Sequence, residues 1–185
     1  MEKVQTGRVI EFYSNSCLVE LNGLNVKCSI LGKQDIVVGD FVNLEYQNDN
    51  DAKSALIISR SDRSSELTKK EIRGLKVIAA NISHVGILLV QNPTTSCEFI
   101  DKWIASSKAS NIEPFIINNK IDVDMSDEYL EKVSLYKNIG IKIFNISAKE
   151  NIGLKDLIEY LENKCTIFVG NSGAGKSTLT SMLTG

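Results

Sequence analysis

The segment FVGNSGAGKST at residues 168–178 constrains this chain more than any other stretch. Residues 170–177 fit the pattern G-x-x-x-x-G-K-[S/T], in which glycines let the backbone wrap closely around phosphate groups. The apolar run CTIFV precedes the motif and the helix-like run STLTSML follows it. This strand–loop–helix context is the one that the motif requires, and it disfavours the alternative of a chance match. The sequence therefore predicts a phosphate-binding loop.

Each position of this motif has an expected task. The Lys176 ammonium should reach the β- and γ-phosphates of a nucleotide, and the Ser177 hydroxyl should bind Mg²⁺. The start of the following helix adds a partial positive charge. The remaining positions are expected to surround the phosphates; they are Gly170, Asn171, Ser172, Gly173, Ala174, Gly175 and Thr178.

Composition is that of an ordinary globular protein, with 43% hydrophobic residues, 24% charged residues and a formal net charge of −2. Because the chain is not basic overall, binding to a nucleic acid would require a local patch of basic residues. No apolar run reaches the roughly 18 residues of a membrane span, and the first residues lack a signal-peptide core. The four cysteines are scattered and His84 is the only histidine, so we expect reduced thiols, a cytoplasmic location and no clustered zinc site.

Residues 1–60 predict five short strands, at 6–14, 16–22, 25–31, 40–46 and 54–60. Turn signals separate them, among them the hairpin signal Asn22-Gly23 and the polar run at 47–53. Five strands in so short a segment favour a closed barrel of the OB-fold type. An SH3-like barrel and an open meander are the alternatives.

Residues 61–76 are polar and charged and lack an apolar period, which predicts a linker. Basic side chains outnumber acidic ones here; they are Arg63, Lys69, Lys70, Arg73 and Lys76. A solvated linker and an RNA contact both explain this local excess of positive charge.

The sequence pattern changes over residues 77–185, where apolar runs typical of strands alternate with stretches typical of helices. Strands are predicted at 85–91, 114–119, 141–147 and 165–170, and helices at 96–111, 126–140 and 153–164. The strand runs are continuously apolar, as expected for strands buried on both faces. This order predicts an α/β domain with a parallel sheet covered by helices.

The tetrapeptide NKID at residues 119–122 directly follows a predicted strand and resembles the guanine-specificity motif N-K-x-D of GTPases. The Asp122 carboxylate can accept hydrogen bonds from N1–H and from the exocyclic amine of guanine, a donor pair that adenine lacks. Asn119 would tie this segment to the phosphate loop, and the aliphatic stem of Lys120 can cover the base.

The segment SAKEN at residues 147–151 also follows a predicted strand and resembles the S-A-K loop of GTPases. In that loop a backbone N–H at the alanine, here Ala148, meets guanine O6, and Ser147 and Lys149 flank it. Either motif alone is a weak signal. Together with the phosphate loop, they follow three predicted parallel strands, at whose carboxyl ends ligands bind in open α/β sheets.

In Ras-like GTPases the phosphate loop comes first, whereas here it follows the two guanine motifs. This order is a circular permutation. Together with an N-terminal barrel, it resembles the family of ribosome small subunit-dependent GTPases. The resemblance covers essentially the whole chain, and its segments are the VGD turn at 38–40 and residues 76–90, 99–123 and 168–179.

This resemblance implies an enzyme that hydrolyses GTP to GDP and phosphate, with Lys176 and Ser177 as catalytic residues and Mg²⁺ as cofactor. It implies action in late maturation of the 30S ribosomal subunit, with the barrel at 1–60 binding 16S rRNA and the subunit stimulating hydrolysis. It implies no membrane or DNA partner and a monomer when full-length. Switch loops and a zinc domain are expected beyond Gly185, so the chain is expected to be an inactive part of a longer protein.

Two other functions are open on the sequence. A transporter-type ATPase shares the phosphate loop but lacks an upstream N-K-x-D. An RNA-binding assembly factor with an inactive nucleotide site would keep the same fold without turnover.

Overall fold

The computed structural model describes residues 4–13, 16–46, 54–72 and 74–184. The chain divides into two compact units, Met1–Asn81 and Ile82–Gly185. The turn predicted at 47–53 lies outside the described residues.

The first unit contains a closed barrel whose strands pair in the order β1-β2-β3-β5-β4, with β1 and β4 closing it. Its strands are β1 (Gln5–Phe12), β2 (Ser16–Leu21), β3 (Leu24–Ile30), β4 (Phe41–Tyr46) and β5 (Ser54–Arg60). The pairing of β3 with β5 is parallel, and this crossover rules out an open meander. The predicted OB-fold barrel is confirmed, with strand bounds close to those expected from the sequence.

Alternating burial fills the barrel core. In β2, Cys17, Val19 and Leu21 face inward and are buried, while the residues between them are partly exposed. Asn22 and Gly23 both have positive φ, 54° and 79°, which allows the two-residue turn into β3. The buried core consists of Val9, Cys17, Val19, Leu21, Val26, Cys28, Ile36, Val42, Leu44, Ala55 and Ile57.

The segment predicted as a linker forms a hairpin instead, with strands β6 (Glu66–Glu71) and β7 (Gly74–Ala80). This hairpin belongs to the first unit, so the α/β unit begins at Ile82 rather than at residue 77. On β6, Leu67 is the buried hydrophobic residue, fully enclosed. A strand with so little apolar alternation resembles a polar connector in sequence, which explains why the prediction was wrong.

Arg63 fastens the start of this hairpin to the barrel. Its guanidinium donates Nε to Asp40 Oδ1 at 2.7 Å and Nη2 to Asp40 Oδ2 at 2.9 Å. A third bond joins Nη1 to Glu66 at 2.9 Å. Both the Asp40 and Arg63 side chains are buried, and the hydrogen bond to Asp40 raises the pKa of Arg63 despite burial. This bidentate ion pair holds the start of the hairpin against the barrel, whereas a linker would be flexible there.

The second unit is a four-stranded parallel sheet in the order β10-β9-β8-β11, as the alternating pattern predicts. Its elements are β8 (His84–Leu89), α1 (Cys97–Ala109), β9 (Glu113–Asn119), α2 (Asp127–Asn138), β10 (Lys142–Ile146), α3 (Leu154–Leu161), β11 (Thr166–Val169) and α4 (Lys176–Thr184). None of the described helices is long and apolar enough to cross a membrane.

Local chemistry fixes the helix starts in this unit. The hydroxyl oxygens of Ser96 and Ser126 accept hydrogen bonds from the third following backbone N–H, and so cap α1 and α2. Both faces of β8 and β9 are covered, which explains their continuous apolar sequence. A buried core under the sheet consists of Leu88, Val90, Phe115, Ile117, Phe144, Ile146, Ala148, Leu154, Leu157, Ala174 and Leu179.

Candidate functional site

Three loops of the second unit meet at the carboxyl edge of its sheet. The guanine loop (residues 119–126) follows β9, the SAK loop (147–151) follows β10, and the phosphate loop (170–175) follows β11. Parallel strands end at the same edge, so loops that are far apart in sequence lie together there. This is the arrangement predicted from the three motifs.

Asn119 joins all three loops through one side chain. Its Nδ2 donates to the Ala174 carbonyl at 3.0 Å, and its Oδ1 accepts from the Ala148 N–H at 3.0 Å. Asn119 is 3% exposed, and the two alanines are as buried. The sequence predicted the tie to the phosphate loop but not the second bond. Because Ala148 N–H already donates to Asn119, a base oxygen would have to share this donor.

The phosphate loop has the backbone that its glycines permit. Gly173 and Gly175 have positive φ, 78° and 92°. A side chain at Gly175 would also overlap the Asn119 amide, so glycine is needed there on two grounds. The loop leads directly into α4, whose first residue is Lys176. Its backbone is therefore shaped to surround an anion at a helix start.

The Lys176 ammonium lies across this loop and donates to the carbonyl oxygens of Gly170 and Asn171 at 2.7 and 2.8 Å. An ammonium carries three hydrogens, so one is left for a ligand without breaking either bond. Both carbonyls belong to the loop itself. The cation is thus held beside the place where phosphates are predicted to bind.

The guanine loop presents an ionised carboxylate. Asp122 is exposed, and a hydrogen bond with Ser147 lowers its pKa, with smaller contributions from the positive charges of Lys149 and Lys120. Lys120 has a positive φ of 71° and donates its Nζ to the Asn92 carbonyl at 2.8 Å. An acceptor-only Asp122 is the state needed to read two base donors.

These loops surround a cleft of about 670 Å³, a size suited to a small ligand. It is lined by Asn119, Lys120, Asp122, Val123, Ala148, Lys149, Ser172, Gly173, Gly175, Lys176, Ser177 and Thr178. Among the predicted site residues, four are not part of this lining: Ser147, Gly170, Asn171 and Ala174. Val123 was not predicted, and no motif marks it.

The lining can provide oxygen ligands for a hard cation. Ser177 lines the cleft one residue into α4. Mg²⁺ prefers oxygen donors, completed by phosphate oxygens and water. Ser177 therefore fits the predicted magnesium role. Among the described residues, no group of three or more His, Cys, Asp or Glu side chains is placed to hold a metal ion.

Comparison with known families decides what this arrangement is. The family model described as RsgA GTPase matches residues 60–185, which include all three loops. The chain belongs to the RsgA GTPase family. The guanine motif, the SAK motif and the phosphate loop thus lie within the part of the chain that defines its membership.

Relatives of this RsgA-family chain carry the name small ribosomal subunit biogenesis GTPase RsgA. The protein of Flavobacterium psychrophilum is 32% identical over 179 residues, covering 88% of this chain and 55% of the relative. That of Hahella chejuensis is 34% identical over 189 residues, covering 97% of this chain and 53% of the relative. The chain therefore spans about half the length of these relatives.

Two solved structures share the fold of this RsgA-family chain. YjeQ from Thermotoga maritima superposes with a TM-score of 0.77 at 28% identity, covering 98% of this chain and 66% of that one. YloQ, described as a circularly permuted GTPase, superposes with a TM-score of 0.69 at 25% identity, covering 95% and 63%. The circularly permuted order inferred from the sequence agrees with the description of YloQ.

Proposed function

We propose that the cleft binds GTP and GDP and that the whole protein hydrolyses GTP during maturation of the small ribosomal subunit. The observation that carries this proposal is Asn119, which holds a base-reading loop and a phosphate-binding loop against each other across a cleft of nucleotide size. Family membership and the names of the relatives supply the ribosomal context.

Guanine would be read by the Asp122 carboxylate, which accepts from N1–H and the exocyclic amine together. Adenine offers no such pair and would leave the carboxylate unmatched. The stem of Lys120 covers one face of the base, while O6 shares the Ala148 N–H with Asn119. Selectivity for guanine thus comes from two loops that one side chain holds together.

The phosphates would lie in the loop at 170–175, with Lys176 supplying the charge for the β- and γ-oxygens. Ser177 would hold Mg²⁺, which bridges those oxygens and neutralises charge that develops on them. Gly173 and Gly175 leave room for the backbone to approach the phosphates closely. These residues bind and orient the triphosphate, so Lys176 and Ser177 are the catalytic candidates of the described chain.

For the ribosomal partner we propose 16S rRNA in the 30S subunit, contacted by the barrel and its hairpin. At the hairpin tip, Ile72 and Leu75 are 106% and 74% exposed, and Lys69 lies directly opposite Lys76 in the register. Basic side chains outnumber acidic ones over residues 61–76, and a polyanion such as RNA is the kind of partner that such a local excess of positive charge attracts. The protein would act in the cytoplasm as a monomer.

Two measurements test the nucleotide proposal on the full-length protein. Competition between GDP and ADP should show a clear preference for GDP, whereas equal binding would favour an ATPase site. Phosphate release should rise when 30S subunits are added. An absence of turnover in both conditions, despite GDP binding, would instead support an RNA-binding factor with an inactive site.

RNA binding is tested separately by salt and by deletion. Affinity for 30S subunits should fall as salt rises, because phosphate contacts release counterions. Full-length protein lacking residues 1–81, the whole of the first unit, should lose most of this affinity. Normal subunit binding by the deletion variant would show that the barrel and hairpin are not the contact.

A further inference from the structure

A loop that no nucleotide motif includes lies between the two halves of the cleft. This bridging loop (residues 91–95) follows β8, and β8 lies between β9 and β11 in the sheet. Its ends are tied together, because Val90 N donates to Thr95 Oγ1 and Thr95 N donates to the Val90 carbonyl, each at 3.1 Å. Thr95 is fully buried. The bridging loop therefore has a shape of its own.

On one side the bridging loop holds the guanine loop through three hydrogen bonds. The Gln91 amide donates Nε2 to the Asp124 carbonyl at 3.3 Å and accepts at Oε1 from the Ser126 N–H at 2.8 Å. The Asn92 carbonyl accepts from Lys120 Nζ at 2.8 Å. These contacts fall on both sides of Asp122 in sequence. The segment that carries the base-reading carboxylate is thus held by a side-chain contact before it and by two backbone contacts after it.

On the other side the bridging loop touches the phosphate loop. The Thr94 carbonyl accepts a long hydrogen bond of 3.4 Å from Asn171 Nδ2. The Pro93 ring lies beside Gly173, where an added Cβ would come within 3.4 Å of Pro93 Cδ. One short segment therefore contacts two of the three loops that surround the cleft, the guanine loop and the phosphate loop.

We propose that Gln91 is a positioning residue for guanine recognition, an inference that rests on the proposed function of the cleft. The Asp122 carboxylate must accept hydrogen bonds from two base donors at once. A small shift of its backbone therefore reduces the selectivity for guanine more than it reduces the affinity for the phosphates. Gln91 prevents that shift through its two bonds to the segment between Asp122 and the start of α2. It acts through Asp122 and needs no contact with the nucleotide.

The test measures dissociation constants of GDP and of ADP, whose base offers neither of the two donors that Asp122 is proposed to read. In the full-length protein, Gln91→Met keeps the length of the side chain and removes both hydrogen bonds. We expect the preference for GDP over ADP to fall about fivefold, the size of about one neutral hydrogen bond, while affinity for ADP stays within about twofold. Gln91→Glu keeps the acceptor for Ser126 and should give an intermediate loss.

Glu131→Met is the matched control, because it introduces the same side chain at an exposed position of α2, outside the three loops of the cleft. This control should keep the wild-type preference. An unchanged preference in Gln91→Met or Gln91→Glu, or an equal loss of both nucleotides, would overturn the proposal. A wild-type protein that does not prefer GDP to ADP would contradict the proposed function itself, so the two failures are distinguishable.

Discussion

Replacing Asn119 with alanine should destabilise the second unit even without nucleotide. The substitution leaves the Ala174 carbonyl and the Ala148 N–H without their partner, and both residues are at most 2% exposed. An unsatisfied buried polar group costs about 1–3 kcal/mol. Because the cleft admits water to part of this region, we expect a total loss of about 2–4 kcal/mol in the free energy of unfolding.

The single tryptophan of the chain makes this loss measurable in the correct unit. Trp103 lies on α1, so its fluorescence during guanidinium unfolding reports on the second unit. With a slope of roughly 3 kcal/mol per molar denaturant, the midpoint should fall by about 1 M. Asn138→Ala, at the exposed last residue of α2, is the matched control and should change stability by less than about 0.5 kcal/mol. If the two variants unfold at the same midpoint, Asn119 does not hold the loops together.

Three further substitutions test other parts of the molecule. Asp122→Asn exchanges an acceptor for a donor, so it should weaken GDP binding at least about tenfold and favour xanthosine diphosphate. Undiminished GDP affinity in calorimetry would contradict the base-reading role. Lys176→Ala should abolish tight GTP binding, and affinity within about threefold of wild type would refute its assignment. Arg63→Met leaves the buried Asp40 carboxylate without its cationic partner and, among the described residues, with only the hydrogen bond from the Val37 N–H. It should destabilise the barrel unit by about 3–5 kcal/mol in far-ultraviolet circular dichroism melts. Lys27→Met, at an exposed position, is the control, and equal melting of the two variants would show that the ion pair contributes nothing.

Most of the fold could be predicted because burial and sequence periodicity agree in nearly every element. The strands at 54–60 and 114–119 differ from their predicted bounds by at most one residue. The hairpin at 66–80 is the exception. Its attachment depends on Arg63 paired with Asp40, and such a long-range ion pair leaves no periodic signal in the sequence.

The sequence predicted those residues of the candidate site that belong to known nucleotide-binding motifs. Asp122, Lys176 and Ser177 come from motifs whose residue types their tasks require, and all three line the cleft. Gln91 could not be found in this way, because its partners are a backbone carbonyl and a backbone N–H, which every residue offers. The one available signal was a polar amide at the end of an apolar strand, at the sheet edge where ligands bind.

The geometry of the sheet explains why the order of the motifs along the chain does not matter. Neighbouring strands lie about 4.8 Å apart, so β9 and β11, on either side of β8, are separated by roughly 10 Å, too far for an asparagine side chain to span directly. Their loops must therefore turn toward each other over the end of β8, and the positive φ values of Lys120 and Gly175 fit such turns. The bond from Asn119 to Ala174 then joins residues 55 positions apart. Since this contact depends on which strands flank β8 and not on which comes first, a chain permuted outside the three loops can build the same site.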